Sequence, residues 1–513
     1  ARQPSAAERD RVIAWIRALR THEAERNAGD PGVVLARRLS NAEYDYTIRD
    51  LTGEDLRPTR EFPVDPANQE GFDNSGESLS LSPALLRKYV QAARQVADHL
   101  ALTSSVLSFA SHPVLAETDR DKFSILRIID FYKRQPTDYA DYFHAAWQYR
   151  HRAALGGPQA TLETIAADAK VSPRYLELVW KTLNARDEKV GPIARLQGMW
   201  NALPRPDAAR PDAAREGCTA MRDWVLSLRP KLAKRFSNLR IPRGFSPGGQ
   251  AFIMWKNRQY AAHRRLLNPD ALQPGGVPKP RVEIPATDFG GLKAPETVVA
   301  PVDPELAVPE DEKARAPYVA SFQQFCSVFP DAFYISERGR MHVDRPGEKG
   351  RFLSAGLHNA MGYFRDDTPL MELVLDNAGR RELDRLWLDF NTLARVPERM
   401  HLEFFHYERA ETSTMRGREF DFARSEDKDA TSEAKIKRLA DVYTAKARKS
   451  WAEQNADPVG LQAIEEHFQW VNTTIRATEK ARLAAEPGHL SALLDFARRA
   501  YRRPLTSVEQ ADL

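Results

Sequence analysis

Two cysteines, Cys218 and Cys326, are all the thiol chemistry this 513-residue sequence carries. With no CxxC and no CxxCH, the chain cannot attach a c-type haem covalently by itself, has no zinc knuckle, and could form one disulfide at most. Nothing approaches the run of about 18 apolar residues that a bilayer-spanning helix needs. HExxH, P-loop and Rossmann fingerprints are absent as well, so the usual zinc-protease and nucleotide chemistries have no foothold. An excess of one charge is also missing. The 75 basic and 71 acidic residues leave a net charge of +4, which argues against a nucleic-acid-binding tail or a polybasic membrane patch. Lysine is scarce, 19 residues against 56 arginines, and we attribute this to codon bias before any phosphate-binding role.

What is present is the composition of a folded, mainly α protein. With 42% apolar residues the chain can bury a sizeable core, and its length suggests about three domains. Ser5-Ala6-Ala7-Glu8 has capping-box form and precedes Val12, Ile13, Ile16 and Leu19 on one helical face, with Trp15 at its border. Ser40 and Glu43 repeat the box, Leu39 and Tyr44 take the positions of a hydrophobic staple, and Gly53 suits a helix stop. Ser82-Pro83 opens a third helix. Between them residues 57–81 lack periodicity, and a loop that long is either functional or pinned by its own contacts. Helical patterns fill 118–200, 218–232 and 252–267, and resume at Thr368-Pro369, at Ser432 and after Asp457-Pro458. Pro206–Arg210 is duplicated as Pro211–Arg215 and has the composition of a solvated linker. Residues 269–317 hold ten prolines, so an extended linker and domain boundary is expected there. Phe333–Ser336 and Met341–Asp344 flank Arg338-Gly339 as a β-hairpin. The divisions expected are 1–28, 29–105, 106–268, the linker 269–317, an α+β region 318–410, a helical region 411–495, and the start of a further domain at 496–513. The opening at Ala1 and the capping box Thr506–Glu509, which only four residues follow, lead us to expect an excerpt of a longer protein.

Several constellations invite a function. The oxygen-rich stretch 65–77 offers Asp65, Asp73, Asn74 and Glu77 as a calcium-type ligand set. It departs from the EF-hand register, and Asn and Asp fold onto their own backbone in turns without any ion. Residues 161–183 have helix-turn-helix spacing, yet the second helix offers only Arg174 and Lys181 as basic side chains, so two packed helices explain it better than a DNA reader. His401 and His406 lie five residues apart around Glu403, one residue beyond the spacing that aligns two ligands on a helix. His342 and His358 precede them without a stated geometry. Gly244–Gly249 looks like a phosphate cradle but lacks a preceding strand and a Lys-Ser/Thr pair, so it reads as a turn. Trp147, Trp180, Trp200 and Trp255 could form platforms for polysaccharide, although their helical spacing favours the core. No catalytic site can be assigned from these residues.

One resemblance goes further. Arg37-Arg38-Leu39-Ser40-Asn41-Ala42-Glu43-Tyr44-Asp45-Tyr46-Thr47-Ile48-Arg49-Asp50-Leu51, with Gly71-Phe72-Asp73-Asn74 and Leu79-Ser80-Leu81-Ser82-Pro83, resembles the domain of unknown function found beside cytochrome c domains in planctomycete-type envelope proteins. Arg499–Thr506 with Glu509 is similar to the opening of another domain of that architecture, and Ala1–Leu19 is similar to the closing helix of its haem domain. The resemblance implies an exported protein, periplasmic or at the cell surface, in an electron-transfer setting. It implies haem c on an upstream domain, and partners among cytochrome c domains and other envelope redox proteins. It brings no catalytic residue. The expected function is therefore a haem-free helical portion that positions a haem domain and partner modules. The alternatives are a polysaccharide-binding or polysaccharide-degrading module and a helix-turn-helix DNA-binding protein.

Overall fold

The computed structural model describes the chain apart from residues 1–2, 30–35, 207–211, 237–238, 278–279, 284–295, 300, 340–348 and 352–363. Ten single positions are also outside it: 68, 70, 72, 74, 77, 187, 247, 336, 411 and 413. The fold is mainly α, with 62% of it helical. Among the described residues no helix is long and apolar enough to cross a membrane. Two compact units emerge. The first comprises residues 1–101, 107–115 and 490–513, and the second residues 102–106 and 116–489.

The first unit begins with helix α1 (Ala6–Arg26), closed by the reciprocal Ser5/Glu8 cap. Val12, Ile13, Ile16 and Leu19 share one face of it, but α1 buries no residue; Trp15 is 64% exposed and Val12 55%. Helix α2 (Asn41–Thr52) carries the Ser40/Glu43 box and ends at Gly53 with φ of 80°, a left-handed turn that glycine adopts without strain. Helix α3 (Pro83–Ala97) starts at Ser82, whose hydroxyl accepts from Leu85 N. Strands β1 (Leu100–Leu102) and β2 (Leu107–Phe109) make a small antiparallel hairpin.

The second unit is built from α4 (Glu117–Lys133), α5 (Tyr139–Arg150), α6 (Leu162–Asp168), α7 (Pro173–Asn184), α8 (Gly191–Asn201), α9 (Arg215–Leu228), α10 (Gln250–Ala262) and α11 (Glu312–Val328). They are followed by α12 (Asn377–Leu393), α13 (Val396–Ala410), α14 (Glu433–Gln454) and α15 (Val459–Tyr501), the last of which supplies residues 490–501 to the first unit. Helix α16 (Ser507–Asp512) carries the expected Thr506/Glu509 cap in the first unit. The main core is aromatic: Tyr132, Tyr142, Phe143, Trp147, Tyr175, Trp200, Phe325 and Phe329 are all fully buried. Several polar tips in this core find partners, although among the described residues Trp200 Nε1 has none. Tyr139 Oη donates to Pro330 O at 2.9 Å, Tyr175 Oη to Val328 O at 2.8 Å and Trp147 Nε1 to Pro204 O at 2.8 Å, as buried hydroxyl and indole groups require. A second cluster joins Phe404, Phe405, Tyr443, Trp451 and Phe468. Here Gly460 permits close packing of α15 on α14, because a Cβ at that position would lie 2.6 Å from the Trp451 ring.

Three sequence expectations need amendment. Helix α11 begins inside the proline-rich stretch at Glu312, where the Asp311 carboxylate accepts from Ala314 N, and it passes through Pro317. Strands β3 (Gln273–Pro274), β4 (Pro280–Glu283), β5 (Glu296–Val299) and β6 (Ala307–Val308) pair in the same region, β3 with β6 and β4 with β5. At the expected hairpin, Arg338 and Gly339 do not form the turn. They lie in strand β7 (Glu337–Gly339), antiparallel to β8 (Lys349–Arg351). Phe333 and Ile335 instead hydrogen-bond to the backbone of Leu370 and Asp366, and Met341–Asp344 lies outside the described residues. After Thr368-Pro369 a single π-turn, Leu370–Val374, runs to Leu375 before Asp376 caps α12.

Candidate functional site

The loop 57–81 is pinned at every described anchor. Asp45 accepts from Thr59 N and Oγ1, Lys88 Nζ donates to Glu61 O at 2.6 Å, and Asn41 Nδ2 donates to Pro63 O at 2.8 Å. Asp65 belongs to this set. One of its oxygens accepts from Arg38 Nη2 and the other from Asn41 N at 2.6 Å, with little of either side chain exposed. Its negative charge therefore meets a guanidinium and the N-terminus of α2, where anions are favoured. Asp73 is exposed, and Asn74 and Glu77 lie outside the described residues. Tyr44, Phe62 and Tyr89 close the unit, with Tyr89 at 4.9 Å from each of the other two rings in edge-on geometry. Such pairs each add about 0.5–1.5 kcal/mol beyond their burial. Arg37 fastens the capping box, and its guanidinium holds the Glu43 carboxyl down at about 2.

The remaining sequence candidates fall in the second unit. Tyr175, Leu176, Val179 and Leu183 of α7 are core, while Arg174 is exposed and Lys181 pairs with Glu177 at 2.7 Å on the outer face. The pair α6–α7 is thus two helices packed at a tight turn. Trp147 and Trp200 are fully buried, and Trp180 stands edge-on to Trp200 at 6.4 Å. The turn at Gly244–Gly249 caps α10 against a carboxylate already there: a Cβ on Gly249 would stand 3.2 Å from Glu408 Oε1. Among the described residues Glu408 enters no ion pair. Its Oε2 accepts from Tyr443 Oη at 3.0 Å and from Thr412 Oγ1 at 2.9 Å, and burial raises its pKa.

The histidines separate. His401 is fully buried and His406 exposed, because five residues on a helix turn the second side chain well away from the first. His342 and His358 lie outside the described residues. Sequence reasoning missed the real neighbour of His401. This is His467, which is fully buried 66 positions later on α15, and burial pushes the two imidazoles down to about 4 and about 3. Among the described residues, both nitrogens of His467 lack a hydrogen-bond partner. Only a contact map could have paired them. Among the described residues, no group of three or more His, Cys, Asp or Glu could hold a metal ion. Both cysteines are free and buried, with thiols pushed up to about 12 at Cys218 and about 11 at Cys326 by burial. Such thiols are poor nucleophiles.

Two networks also escaped the sequence. Arg264 binds Asp331 at 3.0 Å and Asp366 at 2.8 Å, and Tyr132 Oη donates to Asp367 at 2.7 Å. Asp389, almost fully buried, accepts from Ser104 N, Ser104 Oγ and Arg127. Each joins segments over 60 residues apart and is explained by fold closure.

Compared with known proteins, residues 37–101 match a family model described as PSD3, protein of unknown function (DUF1587). No curated protein and no solved structure matches the chain.

Proposed function

We propose that this chain is the haem-free helical portion of an exported, cytochrome c-linked multidomain protein, positioning a haem domain and partner modules for electron transfer. The supporting observation is the match over 37–101, the segment whose motifs resemble the module that accompanies cytochrome c domains. The planctomycete-type origin, the periplasmic or cell-surface location and the upstream haem c belong to the same proposal.

Helix α1 gives the idea a physical face. Val12, Ile13, Trp15, Ile16 and Leu19 are each 43–64% exposed. Covering them is worth on the order of 1 kcal/mol apiece, so a domain docked at α1 gains several kcal/mol. A helix that buries nothing is marginal alone even at this length, and it becomes stable when its apolar face is covered. The test is the haem spectrum of the whole natural gene product, expressed in a host that exports and matures c-type cytochromes. A pyridine haemochrome signal of haem c is expected. A product that carries none removes the proposal.

A further inference from the structure

We infer that a recess at the C-terminal end of α13 binds a tetrahedral oxyanion, a phosphate or sulfate group carried on a larger ligand. The recess holds about 360 Å³ and is lined by Phe405, His406, Arg409 and Ala410 of α13 and by Arg424, Ser425 and Glu426 of the segment that folds back beside it. That volume exceeds a bare oxyanion and leaves room against the Phe405 and Ala410 wall for the group bearing it.

The electrostatics favour an anion. The C-terminus of a helix normally repels one, because its last carbonyls are unsatisfied. Here Arg416 covers them: its Nε donates to Arg409 O and its Nη2 to Ala410 O, both at 2.7 Å. Arg409 is held in place through Nη2, which donates to Phe420 O at 2.7 Å and to Ala423 O. Among the described residues neither Arg409 nor Arg424 enters an ion pair, and Arg424 is exposed. The nearby acids are already engaged. Asp427 and Asp429 both bind Lys435, and Glu426, the one acid in the lining, accepts from Ser425 Oγ at 3.1 Å. Two guanidiniums, one of them fixed, and an imidazole thus line a space that holds a single carboxylate. Planar N–H forks of this kind match the oxygen edges of phosphate and sulfate.

The test uses the full 513-residue chain with sodium phosphate and sodium sulfate as separate probes, titrated calorimetrically at ionic strength held constant with chloride. Saturable binding of at least one probe is expected, and the stronger of the two identifies the ester class. Arg424→Gln should weaken it about tenfold, the loss of one charge-assisted contact. Glu426→Gln should tighten it severalfold by removing the one carboxylate of the lining. Both side chains are exposed, so unchanged thermal unfolding of the variants shows that the fold is intact. Heats equal to the chloride control, or binding that neither substitution changes, would overturn the inference.

Discussion

Lowering the pH from 8 to 5 should cost the second unit about 4 kcal/mol through two side chains, His401 and His467. An unfolded imidazole titrates near 6.5, whereas in the fold burial holds these two at about 4 and about 3. Between those values the unfolded chain binds more protons than the folded one. Their contribution is therefore complete above pH 6.5 and is lost progressively as pH falls toward the folded values. At pH 5 each unfolding event takes up nearly one proton per histidine, worth about 2 kcal/mol per site. Glu408, Asp331 and Asp367 act in the opposite direction, since burial raises their pKa and their stabilisation is lost as pH rises. The informative quantity is accordingly the difference between the wild type and His401→Leu/His467→Leu. Urea unfolding followed by tryptophan fluorescence reads the second unit, because eight of the nine tryptophans lie in it. The wild type should lose about 4 kcal/mol more than the double variant between pH 8 and pH 5. Equal losses would refute the burial argument.

Two further outcomes follow from packing and charge. Gly460→Ala places a methyl 2.6 Å from the Trp451 ring and should destabilise the second unit by about 1–3 kcal/mol, as overpacking does, read as a shift of the urea midpoint. Asp65→Ala strands the shielded Arg38 guanidinium and should weaken the first unit by about 3 kcal/mol, visible as faster amide exchange across α2 and the following loop with the second unit unchanged.

Local chemistry was legible in the sequence and distant chemistry was not. The caps at Ser5, Ser40, Ser82 and Thr506 all form as expected, because a side chain reaching three residues along its own chain needs no tertiary information. The loop 57–81 was foreseen as functional or pinned, and the pins are now named. Asp65 illustrates the limit: its composition suggested an ion ligand, but the side chain meets Arg38, 27 residues away. Val12, Ile13, Ile16 and Leu19 share one face of α1, yet their spacing cannot say whether anything covers them. The meeting of His401 with His467 is set by tertiary packing and leaves no spacing to read. The oxyanion recess is hidden for a similar reason, since it arises only when the chain after Ala410 returns to place Arg424 beside Arg409.

The central claim concerns the exposed face of α1 and the domain proposed to cover it. Amide hydrogen exchange of residues 6–26, compared between the 513-residue chain and the whole natural gene product, tests it most directly. The account predicts rapid exchange in the former and strong protection in the latter. Equally rapid exchange in both would contradict it.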